Sequence, residues 1–481
     1  MTDTFDAIVI GAGEAGGEVA NRAIAAGQRV AMIYRNPFGS TCLNIGCVPS
    51  KFMIHRANVA QVARTAGRFH VETSAPRVDL AGIVREKDAL IARNRAAALQ
   101  GAQETECLTL REGEAHFTAP HELVAAGDTL RADHIFIATE LRPHMPPITG
   151  IDRVPALTNE SLMELTALPE HLVIVGGGYI ACEFGQAFRR YGSDVTIIQN
   201  AAHLCPREEP EVSTVLEQAL AAEGIDLALG HTAVRVDPEA DGVRVTARAK
   251  DGSERVVTGT HLLVAAGRQP NTDTLGLPAA GVATDAHGFV RVDASLRTTA
   301  SSIWAIGDVN GQQPFTRACA CEEAKVAYAN ACEGAGLTMP RRFLGHAIFT
   351  NPEIGSVGLT EAEARQEGYE VATGLMAFDQ VEKAQLIGET RGLIKYVVDR
   401  PTHRLLGCHV IGPDGANLIY AATAVLRHGG SLDEIALAIG IFPTLIEGME
   451  GAALNRLRDV APDKVAGPLV TVPLTHDGAG R

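Results

Sequence analysis

The segment Gly39–Lys51, GSTCLNIGCVPSK, contains two cysteines with the spacing of a redox-active pair. Cys42 and Cys47 stand five positions apart, and we predict both on the first turns of a helix entered from a glycine loop. A modest distortion there brings the two sulfurs together, and the helix start favours thiolate. The alternative is a pair of buried structural cysteines. The glycine, asparagine and proline residues around the pair argue against that alternative.

Length and composition indicate several domains of the α/β class. A chain of 481 residues is too long for one core, so two to four domains are expected. The 49 glycines and 46% hydrophobic residues fit an α/β protein in which many turns from strand to helix use glycine. A net charge of −15 without any basic block argues against nucleic acid or an acidic membrane as partner. We expect a small-molecule partner.

The distribution of cysteines and apolar residues predicts a cytoplasmic protein. The first six residues show neither a basic region nor a cleavable apolar stretch, and no transmembrane candidate follows. Nine scattered cysteines do not form the framework of a secreted disulfide protein. Cys319 and Cys321 are two apart on a predicted helix and so face apart, and no second pair stands at ligand spacing. No metal site is expected.

Two segments have the strand, glycine turn, helix and strand of a dinucleotide-binding unit. The first runs from the strand at 7–10 to the strand at 29–34, and the second from 172–175 to 194–199. Glycines in such turns let a pyrophosphate approach the backbone at the helix start. Two units imply two dinucleotides. The glycines are Gly11, Gly13 and Gly16 in the first turn and Gly176 and Gly178 in the second.

The cysteine segment together with these two units closely resembles the class I pyridine nucleotide-disulfide oxidoreductases. These flavoproteins include dihydrolipoamide dehydrogenase, glutathione reductase and mercuric reductase, and the resemblance extends from residue 5 to about 460. It implies an α/β fold with two Rossmann-like domains, for FAD and NAD(P), and a C-terminal α+β dimerisation domain. The implied boundaries are 1–150 and 271–342 for the FAD domain, 151–270 for the NAD(P) domain, 343–465 for the dimerisation domain and 466–481 for a tail.

The resemblance also implies the route of the electrons. Hydride passes from NADH or NADPH to FAD, and electrons then pass to a Cys42–Cys47 disulfide, with Cys47 facing the flavin and Cys42 attacking the substrate. Lys51 and Glu183 match the pair of residues that tunes the flavin in the resembling family. Without that resemblance, Glu183 would be interpreted as a solvent-exposed helix residue. The further residues implied at the cofactors are Thr41, Thr139, Tyr179, Gly267 and Asp308.

Three positions depart from what dinucleotide sites usually carry. Tyr34 ends the second strand, where an acidic residue usually bonds the ribose hydroxyls. Its hydroxyl could replace that contact, or its ring could cover the adenosine. Glu140 stands where the resembling family has a glycine beside FAD. Gln199 is neither the acid that favours NAD nor part of a basic cluster that favours NADP, so the choice between NADH and NADPH stays open.

The C-terminal part lacks an acid–base residue that the resembling family places at its disulfide. The usual His-Pro-Thr-x-x-Glu reads Phe442-Pro443-Thr444-Leu445-Ile446-Glu447 here. Phenylalanine cannot move a proton, so the usual general-acid contribution of about 10²–10⁴-fold should be absent. The alternative is a misaligned, ordinary Phe-Pro turn, which the retained proline, threonine and glutamate argue against.

These features predict a homodimeric, FAD-dependent NAD(P)H oxidoreductase that reduces a disulfide or a similar thiol-reactive substrate. One alternative is a non-disulfide acceptor such as a metal ion, quinone or oxygen, or carboxylase-like dithiol chemistry. Mercury is not favoured, because the last cysteine is Cys408 and a terminal pair is missing. The ketone-cleaving carboxylases carry phenylalanine at the position of Phe442 but histidine at that of Glu447. A catalytically silent FAD-binding subunit is the other alternative.

Overall fold

The structure is a computed structural model that describes residues 2–312, 317–340, 343–438 and 440–460. The chain forms two compact units, Met1–Thr350 and Asn351–Arg481. The predicted tail at 466–481 lies outside the described residues. Among the described helices, none combines the length and the apolar character needed to cross a membrane.

The first part of unit Met1–Thr350 starts with the predicted strand, glycine turn, helix and strand. Its strands are β1 (Thr2–Ile10), β2 (Val30–Tyr34), β3 (Leu108–Glu112), β4 (Ala115–Ala119), β5 (Glu122–Ala125), β6 (Asp128–Ile137) and β7 (Leu141–Pro143). Its helices are α1 (Glu14–Ala25), α2 (Thr41–Asn44), α3 (Cys47–Thr65), α4 (Leu80–Glu104) and α5 (Asn159–Leu162).

The rest of this unit repeats the pattern and then returns to the first sheet. Its strands are β8 (His171–Val175), β9 (Asp194–Gln199), β10 (Asp226–Leu229), β11 (His231–Glu239), β12 (Gly242–Ala249), β13 (Glu254–Gly259), β14 (His261–Val264), β15 (Arg268–Pro270), β16 (Ile303–Ala305) and β17 (His346–Ile348). Its helices are α6 (Tyr179–Tyr191), α7 (Pro210–Ala222) and α8 (Arg317–Tyr328).

Two sheets carry the two glycine turns. The first has the order β3-β2-β1-β6-β5-β4, with β16 beside β6, and the second has the order β10-β9-β8-β14. β1 pairs in parallel with β2 and β6, and all pairs of the second sheet are parallel. Both faces of β1 are covered from residue 7 to residue 10, as expected for a parallel strand whose apolar run is continuous.

Three local predictions differ from the structure. The alternating pattern of residues 108–130 predicts short antiparallel strands, but β3 pairs in parallel with β2, and only β4, β5 and β6 form an antiparallel meander. The pattern of residues 298–308 predicts one strand that ends at Asp308, but the strand is confined to β16, and Asp308 lies in a 3₁₀ turn at Gly307–Asn310. The cysteine segment forms two helices instead of one, because Ile45 and Gly46 leave helical geometry between α2 and α3.

Unit Asn351–Arg481 has the α+β composition predicted for the C-terminal domain. Its strands are β18 (Glu353–Gly358), β19 (Val371–Ala377), β20 (Leu393–Asp399) and β21 (Leu405–Gly412), and its helices are α9 (Glu361–Gln366), α10 (Glu382–Leu386), α11 (Gly415–Arg427), α12 (Asp433–Ala436) and α13 (Ile446–Val460). The strands pair antiparallel in the order β18-β21-β20-β19. The mixed α/β fold class is thereby confirmed.

Candidate active site

The break between α2 and α3 brings the two cysteines together. Cys42 is the second residue of α2, and Cys47 is the first residue of α3. A Cβ atom at Gly46 would stand 2.8 Å from the carbonyl oxygen of Thr41, so only glycine lets the two helix ends approach so closely. Cys42 and Cys47 are both free thiols, and they lie close enough for each to shift the acidity of the other.

The pKa values of the two thiols are shifted in opposite directions. The hydrogen bond from Cys42 and the positive charge of Lys51 together lower the pKa of Cys47 to about 7. The hydrogen bond to Cys47, together with burial, raises the pKa of Cys42. The reduced pair therefore holds a thiolate at Cys47 that accepts a hydrogen bond from a protonated Cys42.

Lys51 forms an ion pair with Glu183 next to the thiols. Its Nζ donates to Glu183 Oε2 at 2.7 Å and to Oε1 at 3.0 Å. Glu183 is 3% exposed and also accepts a hydrogen bond from the backbone N–H of Phe349 at 2.9 Å. The Phe349 ring lies 4.7 Å from the Lys51 Nζ, at cation–π distance. A buried carboxylate thus fixes the ammonium group beside Cys47.

The thiol pair and the ion pair line one cavity of about 740 Å³, a size suited to a cofactor. It lies within unit Met1–Thr350 and is bordered by both glycine turns. Besides Cys42, Cys47, Lys51 and Glu183, the cavity is lined by Gly176 and by other residues that the sequence assigned to the cofactors. These are Thr41, Gly178, Tyr179, Gln199, Gly267 and Asp308.

The first glycine turn fits the diphosphate of FAD. A Cβ atom at Gly16 would stand 2.0 Å from the carbonyl oxygen of Gly11, so α1 starts close against the end of β1. This brings the backbone N–H groups of the helix start to the phosphate position. The hydroxyl of Thr139 is buried and has no hydrogen-bond partner among the described residues, as expected of a group that awaits a ligand.

Glu140 lies at the first glycine turn and fits the diphosphate of FAD less well than its neighbours do. It has a φ of 59°, where glycine would be relaxed, and it accepts hydrogen bonds from the backbone N–H and the hydroxyl of Thr41 at 2.8 and 2.5 Å. A Cβ atom built on Gly13 would stand 2.2 Å from its Oε1. The carboxyl group therefore covers the turn that a diphosphate approaches. Burial raises the pKa of Glu140, which favours its neutral form.

Tyr34 has an acidic neighbour that the sequence did not reveal. Its hydroxyl donates to Glu112 Oε2 at 3.2 Å, since Tyr34 and Glu112 are paired in the parallel register of β2 and β3. An acid therefore lies near the end of β2, although it belongs to the next strand. Glu112 at the end of β3 was the sequence signal for this contact. It was missed because the parallel pairing of β3 with β2 was not predicted.

The side-chain amide of Gln199 forms hydrogen bonds within its own loop. Its Nε2 donates to the carbonyl of His203 at 3.2 Å, and its Oε1 accepts from the backbone N–H of Asn200 at 3.0 Å. Both ends of the amide are therefore engaged. Arg207 lines the same cavity further along this loop and is a cation that the sequence prediction did not include.

Phe442 and Glu447 lie in unit Asn351–Arg481. Phe442 is 70% exposed, which is unusual for a large apolar side chain and rules out an ordinary core position within that unit. Glu447 lies in the first turn of α13 and accepts a hydrogen bond from the backbone N–H of Thr444 at 3.1 Å. The carboxylate is thus held in the loop that presents Phe442.

Comparisons with known proteins agree with this arrangement. Residues 5–331 match the family described as pyridine nucleotide-disulphide oxidoreductase, and residues 345–453 match its dimerisation domain. A mercuric reductase of Streptomyces lividans is 37% identical over 95% of this chain and 97% of its own length. A dihydrolipoyl dehydrogenase of Thermus scotoductus is 35% identical over 94% of this chain and 96% of its own length.

Solved structures of flavoprotein disulfide reductases are also similar to this chain over most of its length. The HOCl-induced flavoprotein disulfide reductase RclA from Escherichia coli aligns with a TM-score of 0.82 at 29% identity, covering 92% of this chain and 98% of its own. A second structure of that protein is a Cu(II) complex, with a TM-score of 0.83 and 28% identity over 94% of this chain and 99% of its own. Members of the matched family use FAD and NAD(P)H. The chain therefore belongs to the pyridine nucleotide-disulphide oxidoreductase family and is an NAD(P)H-dependent flavoprotein oxidoreductase.

Proposed function

We propose that this enzyme reduces a disulfide, or another substrate that reacts with thiols, through the Cys42–Cys47 pair. The observation that supports this most strongly is the pair of neighbouring thiols beside the Lys51–Glu183 ion pair on one cavity. The fixed positive charge of Lys51 stabilises the Cys47 thiolate, and thiol–disulfide exchange requires such a thiolate.

The residues have separate tasks in this proposal. Bound FAD supplies the chemistry that links hydride transfer from NAD(P)H to reduction of the disulfide. Lys51 keeps a positive charge beside Cys47, so that this sulfur stays a thiolate in the reduced enzyme. Cys42 is the thiol that attacks the substrate: its proton passes to the neighbouring Cys47 thiolate, its sulfur bonds to one sulfur of the substrate disulfide, and the other sulfur leaves as a thiolate. Glu183 is a positioning residue that holds Lys51 in place.

Phe442 selects the acceptor in this proposal. The loop of a partner subunit would bring Phe442 where related enzymes supply a proton-donating histidine, and phenylalanine supplies none. The leaving group must therefore depart as a stable anion, as an aryl thiolate does. Glu447 is retained, but without a histidine it has no acid–base group to orient. We infer a homodimer from the matched dimerisation domain, and a cytoplasmic location from the scattered cysteines.

A metal ion is the second candidate acceptor. Relatives of this chain are named mercuric reductases, and RclA has been solved as a Cu(II) complex. A dithiol with a thiolate is a good ligand for a soft metal ion. Cys408 is fully buried in β21 and is therefore not available as a ligand for an incoming metal ion.

Anaerobic titration with NADH or NADPH tests the proposal. We expect the enzyme to take up two electrons for FAD and two more for the disulfide. The Cys42→Ser variant should take up only the first two. If the wild-type enzyme also stops after two electrons, the cysteine pair is not part of the electron path. If the bound FAD is not reduced at all, the chain is a silent subunit.

A further inference from the structure

A second pair of cysteines lies in the other glycine turn of the same unit. The sulfurs of Cys182 and Cys205 are 3.7 Å apart, and the two residues are 0% and 5% exposed. Cys182 is the fourth residue of α6, and Cys205 lies in the loop after β9. The backbone N–H of Cys205 donates to the carbonyl of Gly177 at 2.8 Å, and the Cys182 thiol contacts the same oxygen at 3.7 Å.

We propose that Cys182 and Cys205 form a second redox-active pair, whose disulfide restrains the coenzyme-binding loop. A disulfide has sulfurs about 2.05 Å apart, so small rotations of the two side chains are sufficient to close it from the observed separation. Neither residue takes part in the electron route proposed for Cys42 and Cys47. The pair is therefore a separate site in the second dinucleotide half.

Two observations favour a redox pair over other roles for these thiols. Cys205 lines the main cavity, so a small reagent can reach it although the residue is nearly buried. No third histidine, cysteine or carboxylate joins the two sulfurs in a cluster that could hold a metal ion, within the ranges that the structure describes. Two thiols in contact without a metal are the starting geometry for disulfide formation.

The oxidant we assign is a peroxide. One sulfur, as thiolate, attacks a peroxide oxygen, so that the O–O bond breaks and a sulfenic acid forms. The second thiol then attacks that sulfur and releases water. Overall, two thiols and one hydrogen peroxide give one disulfide and two waters. The hydrogen bond to Cys182, together with burial, raises the pKa of Cys205, so this pair should react more slowly than Cys42 and Cys47.

The disulfide would connect two segments at the coenzyme position. Cys182 is flanked on α6 by Tyr179 and Glu183, which line the cavity, and Cys205 belongs to the loop that follows Gln199. Drawing the two sulfurs together moves this loop towards the start of α6 and changes the surface that NADH or NADPH meets. We expect the oxidised form to bind coenzyme about fivefold more weakly or worse, the lower end of typical coupling between two sites.

The experiment uses the full-length enzyme with FAD bound. The protein is treated with increasing hydrogen peroxide, its peptides are mapped without reduction, and the dissociation constants of NAD⁺ and NADP⁺, which cannot reduce the bound FAD, are measured by calorimetry. We expect a Cys182–Cys205 cross-linked peptide to form after the Cys42–Cys47 peptide. Weaker coenzyme binding should appear with it, and dithiothreitol should reverse both changes.

Three variants provide the controls. Cys205→Ser and Cys182→Ser should lose both the cross-link and the change in coenzyme binding. Cys408→Ser removes a buried thiol of the other unit and should behave like the wild type. The proposal is overturned if no Cys182–Cys205 peptide forms once Cys42 and Cys47 are fully oxidised. It is overturned equally if the cross-link forms without changing coenzyme binding, or if the binding change persists in Cys205→Ser.

Discussion

The Nζ of Lys51 lies 2.7 Å from Oε2 of the buried Glu183, and this ion pair joins the helix that starts at Cys47 to the helix of the second glycine turn. Breaking a buried pair at one partner leaves the other charge without compensation. The charge state of the nearby thiol should therefore depend on this contact.

Replacing Lys51 by methionine should raise the pKa of Cys47. The wild-type pKa is lowered to about 7, so the thiolate is present above that pH and is lost below it. Without the ammonium charge, the thiolate should form about one pH unit higher or more. Alkylation of Cys47 by iodoacetamide at a series of pH values measures this with Cys42 retained, and fragmentation of the peptide that carries both cysteines shows which of them is alkylated. Lys51→Arg keeps the charge and is the control. An unchanged curve in Lys51→Met would assign the low pKa to another cause.

Replacing Glu140 by glycine or glutamine should tighten FAD binding. The carboxyl group of Glu140 covers Gly13 and accepts hydrogen bonds from both the backbone N–H and the hydroxyl of Thr41. FAD can therefore bind only if this carboxyl group is displaced or protonated. A diphosphate raises the pKa of Glu140 further, so wild-type affinity should fall as rising pH ionises this group. We expect about tenfold tighter binding in Glu140→Gly, near 1.4 kcal/mol.

Fluorescence titration of the FAD-free protein at a series of pH values measures this effect. The exposed Glu106 lies elsewhere in the same unit, and Glu106→Gln should leave both the affinity and its pH dependence unchanged. Equal affinity of wild type and Glu140→Gly at every pH would mean that Glu140 turns away from the bound cofactor.

The sequence predicted the regular parts of this fold because those parts depend on local patterns. The apolar runs and glycine turns predicted β9 with its observed bounds, β8 to within one residue and the end of α6 at Tyr191. The prediction from sequence failed where the structure depends on pairing between strands that are far apart in the chain. Whether residues 108–112 pair in parallel depends on β2, and the approach of Glu112 to Tyr34 follows from that register.

The site was predicted to a similar extent. The five-residue spacing indicated that Cys42 and Cys47 could meet, but their approach depends on the break between α2 and α3. Lys51 is one helical turn beyond Cys47, as the sequence indicates. The contact of Phe349 with Lys51 and Glu183 joins residues far apart in the chain, and no local pattern indicates it. The role of Glu140 was equally hidden, because its consequence lies in the hydrogen bonds with Thr41.

Serine variants of the cysteine pair should separate the two sulfurs. Cys42→Ser should abolish turnover while bound FAD remains reducible by NAD(P)H, since the attacking thiol is lost. Cys47→Ser should remove the long-wavelength absorbance that a thiolate beside oxidised flavin produces. Stopped-flow spectra of both variants make the comparison. If Cys42→Ser loses the band and Cys47→Ser keeps it, the two roles are reversed.

NADH and NADPH should differ little as coenzymes at the position of Gln199. A neutral amide supplies neither repulsion towards the extra phosphate nor an ion pair with it, and both ends of this amide are engaged within the loop. Steady-state rates with each coenzyme are the measurement. A preference beyond about a thousandfold, some 4 kcal/mol, would show that another residue decides. Arg207 would then be the first residue to replace, because it lines the same cavity.

Replacing Phe442 by histidine should raise the rate with aliphatic disulfides selectively. Lipoamide and glutathione disulfide leave as basic thiolates that need a proton, whereas aryl disulfides leave as stable anions. Histidine next to Glu447 would supply a proton donor worth about 10²–10⁴-fold. Phe442→Leu keeps an apolar side chain and should match the wild type, and Glu447→Gln should reduce the gain in Phe442→His.

The role of Phe442 is tested most directly by the ratio of turnover with an aryl disulfide to turnover with lipoamide, measured for the wild-type enzyme and Phe442→His under the same conditions. We predict a large ratio for the wild type and a much smaller ratio for Phe442→His, through a faster reaction with lipoamide. Wild-type turnover of lipoamide at rates usual for enzymes, about 10–10³ per second, would contradict the account, because the proton would then come from a group other than residue 442.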